Sequence, residues 1–194
     1  MIAFVKGHFA VKTPGRLVVD VNGVGYELQI SLHTYSAISN LDSGQLFTYL
    51  HITENAQTLF GFAEPTEKEL FLNLISVSGV GASTARMMLS GMRPEEITRA
   101  IVQGNTKQLE GIKGIGKKSA ERLIVELRDK LGKQSASTIL SGFNVPQNDM
   151  DAINALISLG IGKAMAESAI KKTMQSIPEN SSLEEIIKQA LKNI

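Results

Sequence analysis

An internal repeat near the middle of the chain constrains its fold more than any other feature. Residues 74–85 align with residues 109–120 without a gap, which is an offset of 35 residues. Each copy places a Gly-apolar-Gly turn between two helical patterns. The two glycines let the backbone turn sharply, and the apolar residue between them can fill the angle between the helices. The repeat therefore predicts two tandem helix-hairpin-helix units.

Turns of this kind can bind a phosphate group. Each turn leads into a helix N-terminus, where amides without intrahelical partners and the helix dipole attract an anion. The alternative is that the hairpins only pack against each other. The candidate DNA-binding residues are Gly79, Val80, Gly81, Ser83 and Thr84 in the first copy, and Gly114, Ile115, Gly116, Lys117, Lys118 and Arg122 in the second.

A nucleotide-binding P-loop is a competing interpretation of the second copy. Residues 111–117 fit the first seven positions of that motif. At the eighth position Lys118 replaces the Ser or Thr that would hold magnesium, and the segment follows a helix rather than a strand. We therefore predict no nucleotide binding and no cofactor.

Five short apolar runs before the repeat predict β-strands, separated by turn residues. Asn22-Gly23 lies between two of these runs and predicts a hairpin, because both residues tolerate a positive φ. Five strands within about 60 residues suit a closed barrel of the OB-fold type. The runs cover residues 2–10, 16–21, 24–30, 46–52 and 57–62, and the predicted barrel domain covers residues 1–63.

The apolar period changes to that of helices after residue 63. Thr66 with Glu69, and Ser181 with Glu184, predict capping boxes, and Pro94 suits a first helical turn. Helices are predicted over residues 66–76, 82–89, 94–102, 107–111 and 117–131. The corresponding tandem helix-hairpin-helix domain covers residues 64–132.

The last part of the chain predicts a linker and a small helical domain. Residues 133–147 hold Ser, Gly, Asn and Pro without a period, which favours a flexible linker. Helices over residues 150–159, 163–176 and 183–194 then form a domain over residues 148–194. Its residues 156–161 and the apolar positions Met165, Ala169 and Ile170 resemble a ubiquitin-associated-type three-helix bundle. Most of these residues must fill the core, so only an exposed remainder can contact a partner.

Composition excludes several classes of protein. The chain has no cysteine, which excludes disulfides and thiolate chemistry, and its histidines, His8, His33 and His51, are too scattered to suggest a metal site. No apolar run approaches the roughly 20 residues that cross a bilayer, so we expect a soluble, cytoplasmic protein. The net charge of +1 divides into −1 for residues 1–62, +3 for residues 63–140 and −1 for residues 141–194.

The whole chain resembles the RuvA family of bacterial DNA-binding proteins. The resemblance is carried by an uncommon order of domains, a mainly α multidomain chain with an N-terminal barrel, and by specific segments. These segments are Gly23-Val24-Gly25-Tyr26-Glu27, residues 56–62, Gly79-Val80-Gly81, Leu89-Ser90-Gly91-Met92 and, above all, residues 114–127.

The resemblance implies a non-catalytic subunit of the complex that moves Holliday junctions in recombination, DNA repair and the SOS response. A homotetramer, or two stacked tetramers, would hold a four-way junction open and square-planar. The hairpins would contact minor-groove phosphates, and the C-terminal domain would dock the hexameric ATPase RuvB. The resolvase RuvC is implied as a further partner in the same complex.

The sequence departs from the family pattern at two places. The family carries two adjacent carboxylates, an acidic pin, between the last two barrel strands, whereas this chain has Glu54 and Asn55. Without the resemblance, Glu54 would be an ordinary hairpin tip. The first hairpin also lacks the lysine that the family often places after the glycines. Ser83 and Thr84 must serve there, with Arg86 either helping them or lying on a solvated helix face.

Two other functions stay open at this point. A helix-hairpin-helix repair enzyme, a glycosylase or a nuclease, needs a catalytic Lys/Asp pair or a carboxylate cluster, and Asp129 has no acidic cluster around it in the sequence. A protein-interaction module with incidental DNA affinity is the other. Cleavage assays test the first, and the salt dependence of DNA binding tests the second.

Overall fold

A closed barrel occupies the N-terminal part of the structure, a computed structural model that describes residues 1–140, 147–176, 178 and 181–193. Its strands are β1 (Phe4–Thr13), β2 (Arg16–Val21), β3 (Val24–Ile30), β4 (Ser43–Ile52) and β5 (Gln57–Phe62). They are hydrogen-bonded in the order β1-β2-β3-β5-β4, and only the β3–β5 pairing is parallel. The predicted five-strand barrel is confirmed.

Strand β1 closes the barrel because it pairs with two neighbours. Its first half, from Phe4 to His8, pairs with β4, and its second half, from His8 to Thr13, pairs with β2. A register shift between Phe9 and Val11 marks a bulge, which bends the strand from one partner to the other. Strand β1 continues beyond this bend to Thr13, whereas the predicted strand ends at residue 10.

The predicted hairpin turn between β2 and β3 is confirmed. Asn22 has a φ of 52° and Gly23 has a φ of 88°, so both central residues are left-handed. This is the geometry that matches the twist of the flanking strands. The side chain of Asp20 accepts a 2.7 Å hydrogen bond from the Gly23 amide, which closes the turn.

One short helix within the barrel domain is missing from the prediction, which assigned no element between the strands predicted over residues 24–30 and 46–52. Helix α1 (Leu32–Ile38) follows β3, and its N-cap Ser31 accepts the Thr34 amide at 2.9 Å. The helix is too short to show a 3.6-residue period. Ser31 was the one local signal for it.

Five helices follow the barrel; the first four lie within the same compact unit, Met1–Ser135, and the fifth runs past its end. They are α2 (Pro65–Ile75), α3 (Ala82–Gly91), α4 (Pro94–Gln103), α5 (Thr106–Glu110) and α6 (Lys117–Leu140). Pro94 begins α4 as predicted. The capping box predicted at Thr66 is wrong, because α2 begins at Pro65 and its N-cap is Glu64, without a side-chain cap bond.

Helix α6 is longer than the sequence indicates. Its predicted end was residue 131, but it continues to Leu140, so the first part of the segment expected to be a linker is helical. Ser, Ala and Gln in this stretch are compatible with a helix, and the absence of an apolar period does not exclude one. Residues 141–146 of the expected linker lie outside the described residues.

Aromatic contacts join the barrel to the helices. The Phe71 ring of α2 lies 5.0 Å from the rings of both Phe60 and Phe62 on β5. All three side chains are buried in one apolar cluster that continues through both hairpins. A second cluster fills the barrel itself, around Leu17, Leu28 and Leu46.

The C-terminal unit, Ala136–Ile194, contains three further helices, α7 (Gln147–Ser158), α8 (Lys163–Met174) and α9 (Leu183–Lys192). Their core is small and contains Ala152, Leu156, Ala166, Ala169, Ile170, Ile186 and Ala190. The capping box predicted at Ser181 lies one residue later, where Ser182 and Glu185 exchange bonds of 3.0 and 3.3 Å. Among the described residues, no helix has the length and apolarity that a membrane span needs.

Candidate nucleic-acid interface

The two Gly-apolar-Gly turns have the same backbone hydrogen bonds, 35 residues apart. In each turn the amide of the central apolar residue donates to the carbonyl oxygen three residues earlier. The helix that follows begins with a hydrogen bond to the carbonyl oxygen of the second glycine, from the amide four residues later. The bonds are Val80 to Val77 (3.0 Å) and Ala85 to Gly81 (2.9 Å), then Ile115 to Ile112 (3.0 Å) and Ala120 to Gly116 (3.0 Å). The predicted repeat is therefore a repeat of three-dimensional structure.

The first glycine of each turn has a left-handed conformation. Gly79 has a φ of 89° and Gly114 has a φ of 92°, a region that side-chain-bearing residues rarely adopt. The residue after each of these glycines points into the core. Val80 and Ile115 are both 5% exposed, as predicted for residues that fill the angle between two helices.

Both turns present the start of a helix to solvent. The N-cap of α3 is Gly81, which has no side chain to satisfy the first-turn amides, and Ser83, two residues later, is exposed. Gly116 has the same place before α6, where Lys117 and Lys118 are both exposed. Open amides and two ammonium groups make this surface attractive to phosphate.

An arginine connects the two hairpins. Arg122 on α6 donates through Nη1 to the carbonyl oxygen of Ser78, in the first turn, at 3.1 Å. Its Nε also lies 3.4 Å from Glu126 Oε1. Met87, the equivalent residue of α3, approaches the second turn, with its Sδ 3.8 Å from the position that a Cβ would take at Gly114. Each hairpin thus approaches the turn of the other, and both contribute to one buried apolar cluster.

Arg86 does not lie on a solvated helix face. Its guanidinium is half-buried against the barrel, where Nη1 donates to the Gly15 carbonyl oxygen at 3.1 Å and to Gln29 Oε1. These contacts correct the hypothesis of a solvated helix face, whereas the hypothesis of a helper at the first hairpin stays a prediction. No sequence pattern links residue 86 to residues 15 and 29.

A buried carboxyl group joins the barrel to α2, and the sequence analysis missed it. Glu67 is fully buried, and Ser31 Oγ and Thr34 Oγ1 of the α1 segment donate to its two oxygens, Thr34 at 2.6 Å. Burial raises the pKa of Glu67, while the two hydroxyl hydrogen bonds act in the opposite direction. A glutamate in a first helical turn normally faces solvent, so no sequence pattern indicates this contact.

The β4–β5 loop forms an exposed tip. Thr53 and Ala56 close it through a 2.9 Å backbone hydrogen bond, and Glu54 and Asn55 between them are exposed. The structure thus places both candidate pin residues at the exposed end of the β4–β5 hairpin, away from the barrel core.

The C-terminal unit has an exposed apolar patch of its own. Ala169 and Ile170, two of the three predicted apolar-face residues, are buried, whereas Met165 is 55% exposed. Leu159 is 63% exposed in the segment between α7 and α8. Ile157, at the end of α7, is also exposed. These three side chains, together with Leu183 and Leu191 on α9, form the remainder that the core does not use.

The described residues contain no cluster suited to metal-dependent cleavage. No group of three or more His, Asp or Glu side chains in that part of the chain could hold a metal ion. Asp129 is exposed on α6, two residues past the buried Leu127. No observation on these residues favours the repair-enzyme alternative.

Family models match the chain in three consecutive segments. "RuvA N terminal domain" matches residues 1–61, "SAM-like Helix-hairpin-helix tandem" matches residues 71–129, and "RuvA, C-terminal domain" matches residues 150–194. The matched order is that of the barrel, the paired hairpins and the three C-terminal helices.

Whole-length relatives agree with these matches. The chain is 44% identical to the Holliday junction branch migration complex subunit RuvA of Cytophaga hutchinsonii, over 99% of both proteins. The protein of the same name from Flavobacterium psychrophilum is 44% identical over 100% of both chains. That of Bacteroides fragilis is 42% identical, again over 100% of both.

Proposed function

We infer the function of this chain from one premise, that it belongs to the RuvA family. We propose that it binds four-way DNA junctions by their structure rather than their sequence, and holds them open for branch migration. In this proposal it is a non-catalytic subunit, and the ATPase RuvB supplies the movement. The proposed domains are residues 1–63, 64–132 and 148–194.

The observation that carries the proposal is the pair of equal turns with exposed helix starts. Their backbone hydrogen bonds match, the two hairpins pack in one apolar cluster, and Arg122 of the second donates to the first turn. Main-chain amides and lysine side chains contact phosphates, which carry no direct sequence information. Two such contacts at a fixed spacing suit the regular backbone of a duplex arm.

We assign the phosphate contacts to the residues of the two turns and to the helix starts that follow them. In the first hairpin these are Gly79, Val80 and Gly81 with Ser83 and Thr84, where contact depends on amides and hydroxyls. In the second hairpin they are Gly114, Ile115 and Gly116 with Lys117, Lys118 and Arg122. Val80 and Ile115 are buried and their amides are bonded within the turns, so they contribute by holding the turn in the shape that the phosphate meets.

The assembly is part of the proposal. Four copies would surround the junction, as one tetramer or as two stacked tetramers, with Glu54 and Asn55 near the centre as the acidic pin. Four copies of a hairpin region with a net charge of +3 also sum to a field that attracts DNA.

We propose that the exposed patch of the C-terminal unit contacts RuvB. Ile157, Leu159 and Met165 are apolar side chains that the small core leaves exposed. Apolar surface of this kind marks sites of protein interaction. RuvC is a further proposed member of the same complex, and the described residues carry no separate observation for its contact.

Comparing a four-way junction with a linear duplex of equal length in gel-shift titrations tests the proposed function. We expect tighter binding of the junction, no dependence on base sequence and a steep loss of affinity with salt. Equal affinity for both DNAs would contradict junction recognition. A shallow salt dependence would instead indicate a protein-interaction module with incidental DNA affinity.

A further inference from the structure

Helix α3 has two ends with different surroundings. Its start, at Ala82 and Ser83, belongs to the candidate nucleic-acid interface. Arg86 and Ser90, one turn apart on one face, contact the barrel domain instead. Ser90 Oγ accepts the Leu32 amide of α1 at 3.1 Å and donates to the Arg86 carbonyl oxygen at 2.8 Å. The second helix of the first hairpin is therefore fastened to the barrel along its second half.

The guanidinium of Arg86 is the charged part of this attachment. Its acceptors belong to two different places in the barrel, the β1–β2 turn at Gly15 and the side chain of Gln29 on β3. The Gly15 carbonyl oxygen also accepts the Ile30 amide at 3.1 Å, so it is already held in position by the sheet. Hydrogen bonds from a charged donor are stronger than neutral ones, and here they act on a half-buried group.

We propose that Arg86 is a positioning residue that fixes the direction of the first hairpin relative to the barrel, and through that sets the preference for junctions over linear DNA. This proposal rests on the proposed function. A single duplex arm can be bound by the paired hairpins alone. A junction must meet the hairpins and the β4–β5 tip together, so any freedom between barrel and hairpin must be lost on binding.

Direct phosphate contact by Arg86 is the alternative, and salt dependence separates the two. A lost phosphate contact lowers the salt slope by about one unit for both DNAs. A lost positioning contact weakens junction binding and leaves the slope unchanged, because no counterion release is involved. The two roles therefore predict different results for the same variant.

The matched pair of variants is Arg86→Gln and Arg128→Gln. Arg128 also donates to a backbone carbonyl, that of Val102 at 3.0 Å, but its bond stays within the helical region. Both variants lose one positive charge and one arginine–carbonyl bond. Only Arg86→Gln loses an attachment between hairpin and barrel.

Binding is measured first. We expect Arg86→Gln to weaken junction binding about tenfold, the equivalent of one hydrogen bond from a charged donor, with duplex affinity changed less than about twofold. Arg128→Gln should keep the wild-type ratio of the two affinities. An equal loss for junction and duplex, or a reduced salt slope, would overturn the positioning role.

A distance measurement without DNA tests the attachment itself. The chain has no cysteine, so spin labels can be placed on introduced cysteines alone, at Gln45 on the barrel and at Ser83 on α3. We expect the distribution of label-to-label distances to broaden or shift in Arg86→Gln and to stay unchanged in Arg128→Gln. A wild-type distribution in Arg86→Gln would overturn the proposal.

Two milder variants keep the test valid if Arg86→Gln does not fold. Arg86→Lys retains the charge and one donor, and should restore part of the junction preference. Gln29→Ala removes one acceptor and should act in the same direction as Arg86→Gln, but less strongly. Wild-type behaviour of both variants would contradict the role. If wild-type protein shows no junction preference, the proposed function fails, whereas the distances measured without DNA still report the attachment.

Discussion

The two hairpins have the same backbone but different side chains at their helix starts. Ala82 and Ser83 begin α3, whereas Lys117 and Lys118 occupy the equivalent positions of α6. Both lysines are exposed, and an ammonium group adds a charge-assisted contact that a hydroxyl cannot equal. At the scale of residues, we therefore expect the second hairpin to supply more of the affinity for DNA.

Replacing both Lys117 and Lys118 with Ala should weaken junction binding and lower the salt slope by about one to two units, because each lost phosphate contact accounts for about 0.9. Titrations at several salt concentrations measure this slope. The control is Lys171→Ala with Lys172→Ala, an exposed adjacent pair in the last turn of α8. An unchanged slope in the Lys117 and Lys118 variant would contradict the assignment.

The β4–β5 tip supports a prediction about repulsion. If Glu54 of four subunits faces the crossover, Glu54→Gln should tighten junction binding and Asn55→Asp should loosen it. Each change should be about fivefold, because two unit charges close together in water interact by about 1 kcal/mol. The changes should be largest at low salt, where screening is weakest. Junction affinities at two salt concentrations measure both.

Asp42→Asn is the control for the tip, because it removes an exposed carboxylate from another loop of the barrel domain. It should leave junction affinity unchanged. Wild-type affinity of both tip variants at low salt would show that Glu54 is only an ordinary hairpin tip.

At the scale of elements, the joint between the barrel and α2 is unusual because it contains a buried carboxyl group. Glu67 accepts hydrogen bonds from the segment that begins α1, and its raised pKa means that the folded chain holds the proton more tightly than the unfolded chain. Its contribution to stability is therefore complete below the ordinary carboxyl pKa and is lost as pH rises through the raised pKa.

Glu67→Gln should remove this pH dependence. The free energy of unfolding of the variant minus that of wild type should be larger at about pH 8 than at about pH 4. The increase should be about 1.4 kcal/mol for each unit by which burial raises the pKa of Glu67. Urea denaturation at both pH values measures the difference. Glu69→Gln, at an exposed position of the same helix, is the control. A difference between Glu67→Gln and wild type that stays constant with pH would contradict the prediction.

Elements with a strong local pattern could be predicted from the sequence. The limits of β2, β3 and β5 match the apolar runs, and Asn22-Gly23 specifies its turn through the φ values that it tolerates. Helix starts are less well specified, because Thr66 and Ser181 had plausible capping partners while Glu64 and Ser182 are the actual N-caps. Adjacent hydroxyl residues offer competing caps, and tertiary packing selects between them.

The candidate site divides in the same way. The turns and the lysines that follow them could be found from the repeat, because the pattern is local. The contacts of Arg86, Glu67 and Arg122 could not, because each joins segments more than 30 residues apart in the chain. Long-range polar contacts depend on how domains pack, and no spacing in one sequence encodes them.

At the scale of the whole molecule, the chain divides into a barrel-and-hairpin unit and a C-terminal unit. Each has its own apolar core, so each can keep its fold without burying surface of the other. A core as small as that of α7 to α9 gives marginal stability.

Removing residues 147–194, which contain α7 to α9, should leave junction binding within about twofold of wild type, because all proposed phosphate contacts precede residue 123. It should abolish stimulation of RuvB. Junction titrations and ATPase assays with RuvB measure the two effects. As a matched point variant, Leu159→Glu should keep junction binding and reduce stimulation. Loss of junction binding by the truncated chain would contradict the proposed division of roles.

The equal main-chain hydrogen bonds of the two turns bear on how DNA could travel through the proposed complex. Amides at a helix start meet a phosphate, and a duplex presents the same phosphate again at every nucleotide. After each base-pair step the contacts are replaced by identical ones, so the bound duplex advances along a nearly level energy profile. A motor that pulls DNA past such turns breaks no sequence-specific contacts with this chain. Its speed should therefore be the same on any heteroduplex free of mismatches.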